Sequence, residues 1–348
     1  MPNYKKIAIK GFLFLTPLYL LIAAYIILDP FKVIFNYSTY QTSGNNPVAL
    51  NKDFLSVENL INNSPTSYTA FIFGNSRSMF YSAAQWQQFT SAKKTYHFDA
   101  SSETLYGIYK KVQFLKRNNV QLKHALLVVD SSLLAYTENS KGELFIKDPK
   151  ISGESYLQFQ FIFLKTFLNR DFLINYLDYK FTGNINRYSL VLNNQNITYI
   201  QELNEFRYAD KDTEILDIDK YYKVHSQIFY TRKNIPDTSA IVLFSKQKEM
   251  LNYIKSVFDT DSTEYKIIIN PLYNQEYINP TDLNFLRATF GANNVYNLSG
   301  INEITASKFH YYEKSHYRPY VAEYILNKIY NPHDTVSMAT WDKIHLGI

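Results

Sequence analysis

"SYTAFIFGNSRSMFYSAAQWQQF", residues Ser67–Phe89, is the stretch on which the fold turns. The run Ala70–Phe73 is apolar without alternation, so it reads as a strand buried on both faces, the kind found in parallel sheets. It stops at Gly74-Asn75-Ser76-Arg77-Ser78, and helical, aromatic-containing spacing over Met79–Phe89 follows with no spacer. A glycine and four polar residues at the carboxyl end of a buried strand have two readings. One is a polar turn. The other is a nucleophile, Ser76, held where parallel α/β sheets gather their ligands.

Downstream of this stretch the chain keeps a strand–helix rhythm. Tyr96–Phe98 reads as a short strand, and Glu103–Arg117 as a helix with Leu105, Ile108, Tyr109, Val112 and Leu115 on one face. "HALLVVD", His124–Asp130, is a buried strand ending in a carboxylate. The rhythm resumes later with a helix over Ser239–Phe258, the strand "YKIIINP" (Tyr265–Pro271), a helix over Asp282–Phe290 stopped by Gly291, a strand over Asn294–Gly300 and a closing helix over Arg318–Tyr330. The pattern predicts an α/β fold, a three-layer α/β/α sandwich on a mostly parallel sheet. The strand ends then carry Asn75, Ser76, Asp130, Ser131 and Asn270.

Between the two halves, residues 137–236 differ in character. Tyr156–Phe181 is a strongly aromatic helical segment or pair of segments, Arg187–Leu203 alternates around Asn193-Asn194 like a hairpin, and Asp210–Tyr222 is acidic and expected at the surface. Together they are expected to form an inserted cap over the strand ends, with the aromatics as its core. The resulting division is an anchor (1–31), a linker and irregular entry segment (32–66), a first α/β part (67–136), the cap (137–236) and a second α/β part (237–348).

The anchor is read from Lys5, Lys6 and Lys10 followed by 18 uncharged residues, Gly11–Leu28. That length approaches the roughly 30 Å hydrocarbon core of a bilayer. Lysines on the leading side keep the amino terminus cytoplasmic and place the rest outside, in the periplasm. A cleavable signal peptide is the competing reading, but Pro17 sits inside the segment and "LDPFKV" stands where small residues would mark a cleavage site. A buried core helix fits least, because the segment is apolar all round.

Composition narrows the chemistry. The chain has 348 residues, 46% hydrophobic and 17% aromatic, with 31 Tyr and 25 Phe, a bias that suits carbohydrate or protein contacts. The absence of Cys excludes disulfides, thiol nucleophiles and Cys-ligated metals. A net charge of +5 with no dense Lys/Arg block gives no nucleic-acid footprint. No HExxH, P-loop, GxGxxG or EF-hand spacing occurs, so neither metal nor cofactor is expected.

A nucleophilic serine needs a base and a carboxylate that orients it. Of seven histidines, His316 in "HYYEKSHYRPYVAEYIL" is best placed: Glu313 lies three residues before it, and the segment precedes the final helix, where a loop can return to the strand ends. "FIFGNSRS" and "YYEKSHYR" together resemble the first and last blocks of the SGNH/GDSL hydrolase superfamily, with Asn75 and Glu313 each in place of an Asp. The likeness covers residues 67–135 and 239–330. With the anchor, the chain is also similar to membrane-anchored SGNH-like proteins that work beside membrane-bound O-acyltransferases on envelope polymers.

The resemblance implies Ser76 as nucleophile, His316 as base and then acid, and Glu313 as its orienting group, with oxyanion donors from the backbone of Ser76 and one of Ala100, Ser101 or Ser102. Asn75, Arg77, Asp130, Ser131, Asn270 and Arg318 would bind substrate or shape the site. Two blocks depart from the pattern. Asp99 stands near the expected glycine of the second, and Asp130 replaces the Asn donor of the third. An ionised Asp only accepts hydrogen bonds, and loss of one oxyanion donor costs about 100- to 1000-fold in rate. The leading expectation is thus an extracytoplasmic esterase or acyltransferase acting on an acyl, chiefly acetyl, ester of an envelope polysaccharide or glycan. The alternative is a weakly active or inactive relative that binds glycan or docks a membrane O-acyltransferase. A structural or secretion-accessory protein is a third class.

Overall fold

The computed structural model describes residues 4–40, 48–184, 197–208, 215, 217–232, 235 and 237–346. Strands β1 (Ala70–Gly74), β2 (Thr95–His97), β3 (His124–Val129), β4 (Glu264–Ile269) and β5 (Val295–Asn297) form the central sheet in the order β2-β1-β3-β4-β5, every pair parallel. The chain is α/β, as the unalternating apolar runs require. Both sheet faces are covered. Phe71, Phe73, Leu127, Val129, Ile267 and Ile269 enter one apolar layer, while Ala70, Ile72, Leu126, Val128 and Ile268 enter the other. Burying each of the larger of these side chains is worth roughly 1.5–3 kcal/mol.

The helices used below are α1 (Tyr4–Leu28), α2 (Lys52–Asn62), α3 (Leu105–Arg117), α4 (Tyr156–Phe167), α5 (Arg170–Thr182), α6 (Ser245–Asp261), α7 (Pro280–Phe290), α8 (Pro319–Tyr330) and α9 (Met338–Leu346). Helices α3, α6 and α7 cover the first face through Ile108, Val112, Leu251, Ile254, Leu286 and Phe290. Helix α8 covers the second through Val321, Ala322, Ile325 and Leu326. Helix α1 is long and apolar enough to cross a membrane.

Register places the strand ends side by side. Gly74 pairs with Val128, and Val129 with Ile269. Asn75, Asp130 and Asn270 therefore leave the sheet along one edge. Because the strand order reverses at β1, that edge is also the topological switch point, where α/β sheets leave a crevice between diverging connections.

Several elements differ from expectation, each for a local reason. Met79–Phe89 is not one helix: after a single 3₁₀ turn over Ser78–Phe80, Tyr81 is extended, and the Ser82 side chain accepts from the Gln85 amide to cap a new short helix, Ala83–Gln87. Helix α6 begins at Ser245 rather than Ser239, because the Asp282 carboxylate takes the amides of Val242 (2.8 Å) and Leu243 (3.1 Å). The segment 32–66 is more than a linker. It contains α2, capped by Asn51, whose Lys52, Asp53, Glu58 and Asn59 are buried along with Phe54 and Leu55.

Of the segment 137–236, residues 138–141 and Phe145 line the cleft at the strand ends, while its aromatic part packs against the foot of α1. Tyr156–Phe181 is a helix pair, α4 and α5, whose Phe159, Phe163, Phe167 and Phe172 form a third core with Tyr25, Phe31 and Phe54. A hairpin joins Ile197–Ile200 to Glu205–Tyr208, while Asn193-Asn194 lie outside the described residues. In the acidic stretch, Ile218–Val224 is helical, and Tyr221 and Tyr222 are buried rather than exposed. A last helix, α9, packs on α8 and was not foreseen.

Candidate active site

The turn after β1 is built for close packing. A Cβ on Gly74 would sit 2.7 Å from both Ser78 Cβ and the Val128 carbonyl oxygen, so no side chain fits where the strand turns. Asn75 then forms a side-chain turn, its Oδ1 accepting from the Arg77 amide (3.0 Å), while Ser78 donates from both its amide (2.9 Å) and hydroxyl (2.7 Å) to the Asn75 carbonyl. Ser76 is left at the apex, partly exposed.

The second piece arrives as a hairpin, Tyr311–Glu313 paired antiparallel with His316–Tyr317, in which Glu313 stands opposite His316 across a two-residue turn. Cross-strand partners meet directly. Glu313 Oε1 is hydrogen-bonded to His316 Nδ1, and its Oε2 accepts from the Ser315 amide (2.8 Å). The other ring nitrogen, His316 Nε2, lies 2.7 Å from Ser76 Oγ. With Nδ1–H donated to the carboxylate, Nε2 carries the lone pair and accepts from the Ser76 hydroxyl. Phe80 stands edge-on to the imidazole at 5.7 Å, and the hydroxyls of Tyr221 and Tyr222 hold the hairpin through the carbonyls of Tyr312 and Tyr311 (2.7 Å each).

Arg77 ties the two pieces together. Its Nε donates to the Ser315 carbonyl in the hairpin turn (2.9 Å) and its Nη1 to Asp130 Oδ2 (2.9 Å). Asp130 Oδ2 also accepts from Asn75 Nδ2 (2.9 Å) and Asn270 Nδ2 (3.2 Å), and Oδ1 from Ser132 and the Leu133 amide. Burial would raise the Asp130 pKa, but the Arg77 guanidinium and these donors outweigh it and hold the carboxyl below the usual range. Asp130 thus acts as a buried acceptor that fixes the Ser76 turn.

The cleft above these residues measures about 730 Å³ and is lined by Asn75, Ser76, Arg77, Ser102, Ser315 and His316, among others. Polar residues make up most of its lining beside Tyr136 and Phe145, and among them Glu103 (whose carboxylate is turned inward), Thr104, Ser132 and Lys141 were not singled out by the sequence reading. Ser132 could have been found from its place just beyond Asp130; Glu103, Thr104 and Lys141 carry no such signal. Of the anticipated oxyanion donors, Ala100 already gives its amide to the Gly74 carbonyl (3.3 Å) and is buried, whereas Ser102 lines the cleft. Ser102 also takes a left-handed φ of 49°, the conformation in which glycine is at ease. Ser101 lies outside the lining.

Other anticipated residues serve elsewhere. Asn270 is buried and links Asp130 to the Tyr317 hydroxyl (3.0 Å), Ser131 donates to Glu276 (3.0 Å), and Arg318 lies with its guanidinium 5.1 Å over the Tyr320 ring. Asp99, feared as a charge opposing an oxyanion, is fully buried against Lys52 and His97. The Lys52 ammonium, with His97 beside it, overcomes the effect of burial and holds its carboxyl well below the usual range, outside the cleft lining. Beneath the cleft a second ion cluster is sealed from solvent. Lys111 contacts Asp53 (2.9 Å) and Glu103 (2.6 Å), and Lys147 contacts the same two carboxylates (3.2 and 2.5 Å). Gly107 makes room for it, since a Cβ there would meet Glu103 Oε1 at 1.9 Å. His310 pairs with Asp342 (3.0 Å) and a carbonyl, so it is a structural histidine.

Among the described residues no group of three or more His, Asp or Glu side chains is arranged to hold a metal ion. No family model matches the chain, and no curated protein matches it.

Proposed function

We propose that the chain is a serine esterase or O-acyltransferase of SGNH type, and the observation that carries this reading is the 2.7 Å contact between His316 Nε2 and Ser76 Oγ, with Glu313 on the opposite ring nitrogen. Ser76 Oγ bonds to the acyl carbon while its proton passes to His316 Nε2. The tetrahedral oxyanion takes hydrogen bonds from the Ser76 and Ser102 amides, with the Arg77 guanidinium nearby. Collapse breaks the ester bond, and His316 returns the proton to the departing alkoxide. The oxygen of a second hydroxyl, from water or an acceptor sugar, then bonds to the acyl carbon while its proton passes to His316; collapse breaks the bond from Ser76 Oγ to the acyl carbon, and His316 returns the proton to Oγ.

A hydroxyl-, amide- and charge-lined cleft of this size supports a glycan ester as substrate, with acetyl the acyl group of choice and an envelope polysaccharide the polymer. The lysines in the first two turns of α1, Lys5, Lys6 and Lys10, support a single-pass anchor with the catalytic domain on the periplasmic side, within reach of a membrane-bound O-acyltransferase. One observation favours the second reading, a glycan-binding or docking partner: Asp130 is saturated with donors and offers none to an oxyanion.

The full-length chain in nanodiscs, treated with a fluorophosphonate probe and with 4-nitrophenyl acetate, tests the reading. Ser76-dependent labelling and release are expected, abolished in Ser76→Ala, with Glu313→Gln reducing release by about 100- to 10,000-fold. A folded wild-type chain that neither labels nor turns over refutes the enzyme and leaves the binding partner.

A further inference from the structure

Helix α4 is apolar on two sides. Phe159, Phe163 and Phe167 are buried in the third core, but Leu157 and Phe161, one turn apart, remain 80% and 64% exposed, in line with Leu164 and Leu168. Helix α5 adds Ile174 and Phe181, 56% and 87% exposed. Scattered exposed apolar side chains are ordinary, whereas large apolar side chains exposed side by side mark a contact surface.

What this stripe faces is set by its neighbours. On α4, Gln160 accepts from the Tyr25 hydroxyl (3.0 Å) and donates to the Val33 carbonyl (2.7 Å). Tyr25 lies one turn before the end of α1, and its ring packs 5.5 Å from Phe167. Directly after α1, Asp29 accepts from the amides of Val33, Ile34 and Phe35 and from the Tyr37 hydroxyl, and Phe31 stacks on Phe172 at 4.9 Å. The exit of α1 is knotted to α4 and α5 instead of swinging on a free tether. Helix α4 also has a single charged residue, Lys165, whose sign suits anionic headgroups.

We propose that the outer stripe of α4, centred on Leu157 and Phe161, lies in the headgroup layer of the bilayer that α1 crosses. The domain is then held to the membrane at two places. Leu157 and Phe161 also border a groove of about 540 Å³ that shares Asn139, Ser140 and Lys141 with the Ser76 cleft. The cleft consequently adjoins the membrane surface, and the substrate it meets there is a membrane-attached ester. The seat of α4 rests on α1 spanning the bilayer and not on any chemistry at Ser76, whereas the membrane-attached ester rests also on the serine reading.

Single added tryptophans in the full-length chain test it, in nanodiscs of phosphatidylcholine and phosphatidylglycerol whose lipids are brominated near the headgroup (read at positions 157, 161 and 123), brominated near the acyl-chain ends (read at position 20), or unbrominated. Leu157→Trp and Phe161→Trp probe the stripe, Leu20→Trp reports insertion of α1, and Lys123→Trp, at the amino end of β3, marks the opposite pole of the sheet. Native Trp86 and Trp341 give the background, and unchanged melting curves show that each variant folds. Interfacial helices sit roughly 5–10 Å into the headgroup boundary, so emission from positions 157 and 161 should shift to the blue and be quenched by the bromines while position 123 is not. Positions 157 and 161 behaving like 123, with position 20 quenched, overturns the seat. An unquenched position 20 overturns it as well, by removing α1 from the bilayer, and leaves the serine reading untouched.

Discussion

Replacing Arg77 by alanine removes a side chain that bonds both to Asp130 and to the hairpin carrying His316. The side chain of its partner Asp130 is only 2% exposed and that of Arg77 20%, with 2.9 Å between Nη1 and Oδ2. At an effective dielectric of about 20 the gross attraction is 332/(20 × 2.9), about 6 kcal/mol, and stripping one partner from a buried pair costs about 3–5 kcal/mol net. Asp130 keeps its neutral donors, so the lower end, about 3 kcal/mol, is expected for Arg77→Ala. The pH dependence then changes sign. In the wild type the depressed Asp130 contributes stability above its unfolded pKa of about 3.9, and this is lost as pH falls through the folded value. Without Arg77, burial prevails and the folded pKa rises; the contribution is then present at acid pH and lost as pH climbs beyond about 3.9. Arg77→Lys keeps the charge but cannot hold both Asp130 and the Ser315 carbonyl with a rigid fork. It should leave stability within about 1 kcal/mol and lower ester turnover by about 10- to 100-fold as the hairpin drifts from Ser76. Urea unfolding of the full chain from pH 3 to 8, with 4-nitrophenyl acetate rates on the same samples, reads all three. Parallel stability profiles for wild type and Arg77→Ala, or full activity in Arg77→Lys, would refute the bridging role.

Other outcomes are equally specific. Lys111→Met leaves Asp53 and Glu103 facing Lys147 alone and should cost about 3–5 kcal/mol in urea unfolding, with much of it returned when Glu103→Gln is added. Gly74→Ala should cost about 1–3 kcal/mol by overpacking against Ser78 and Val128; if activity falls no more than the folded fraction, Gly74 does not set the Ser76 turn. Burial, joined by the nearby Glu58 carboxylate, pushes Asp148 up to about 8. Its folded pKa exceeds the unfolded one, so stability declines between about pH 4 and 8, by at most about 1.4 kcal/mol per pH unit. Asp148→Asn should flatten that window in melts taken across it.

Much of this arrangement could be read from the chain because its signals are local. β1, β3 after His124 and the Ile267–Ile269 end of β4 are apolar runs, and a continuous run has one simple explanation, burial on both faces. The Glu313–His316 spacing was legible for the same reason: a two-residue turn makes the pair direct neighbours. What escaped depends on partners distant in sequence. Helix α2 reads as polar linker because Lys52, Asp53 and Glu58 count as surface residues until Asp99, Lys111, Lys147 and Lys150 are found opposite them. The fate of Asp99 and the late start of α6 have the same origin, a charge or carboxylate supplied from elsewhere. The aromatic insertion reads as the core of a cap of its own because its partners, Tyr25, Phe31 and Phe54, lie more than a hundred residues earlier, at and beyond the foot of α1.

Ser76 and His316 lie 240 residues apart in the chain. That separation makes the site a clock for folding. A growing chain exposes the β1 turn early, but the imidazole that would activate it belongs to a hairpin close to the carboxyl terminus, held by Tyr221, Tyr222 and Arg77. Contacts of such range form late, after the loops between them have closed. On the proposed serine chemistry, any chain cut short before residue 311 lacks its base and stays inactive however well its first strands assemble. In refolding experiments, recovery of ester cleavage will report the docking of that last hairpin.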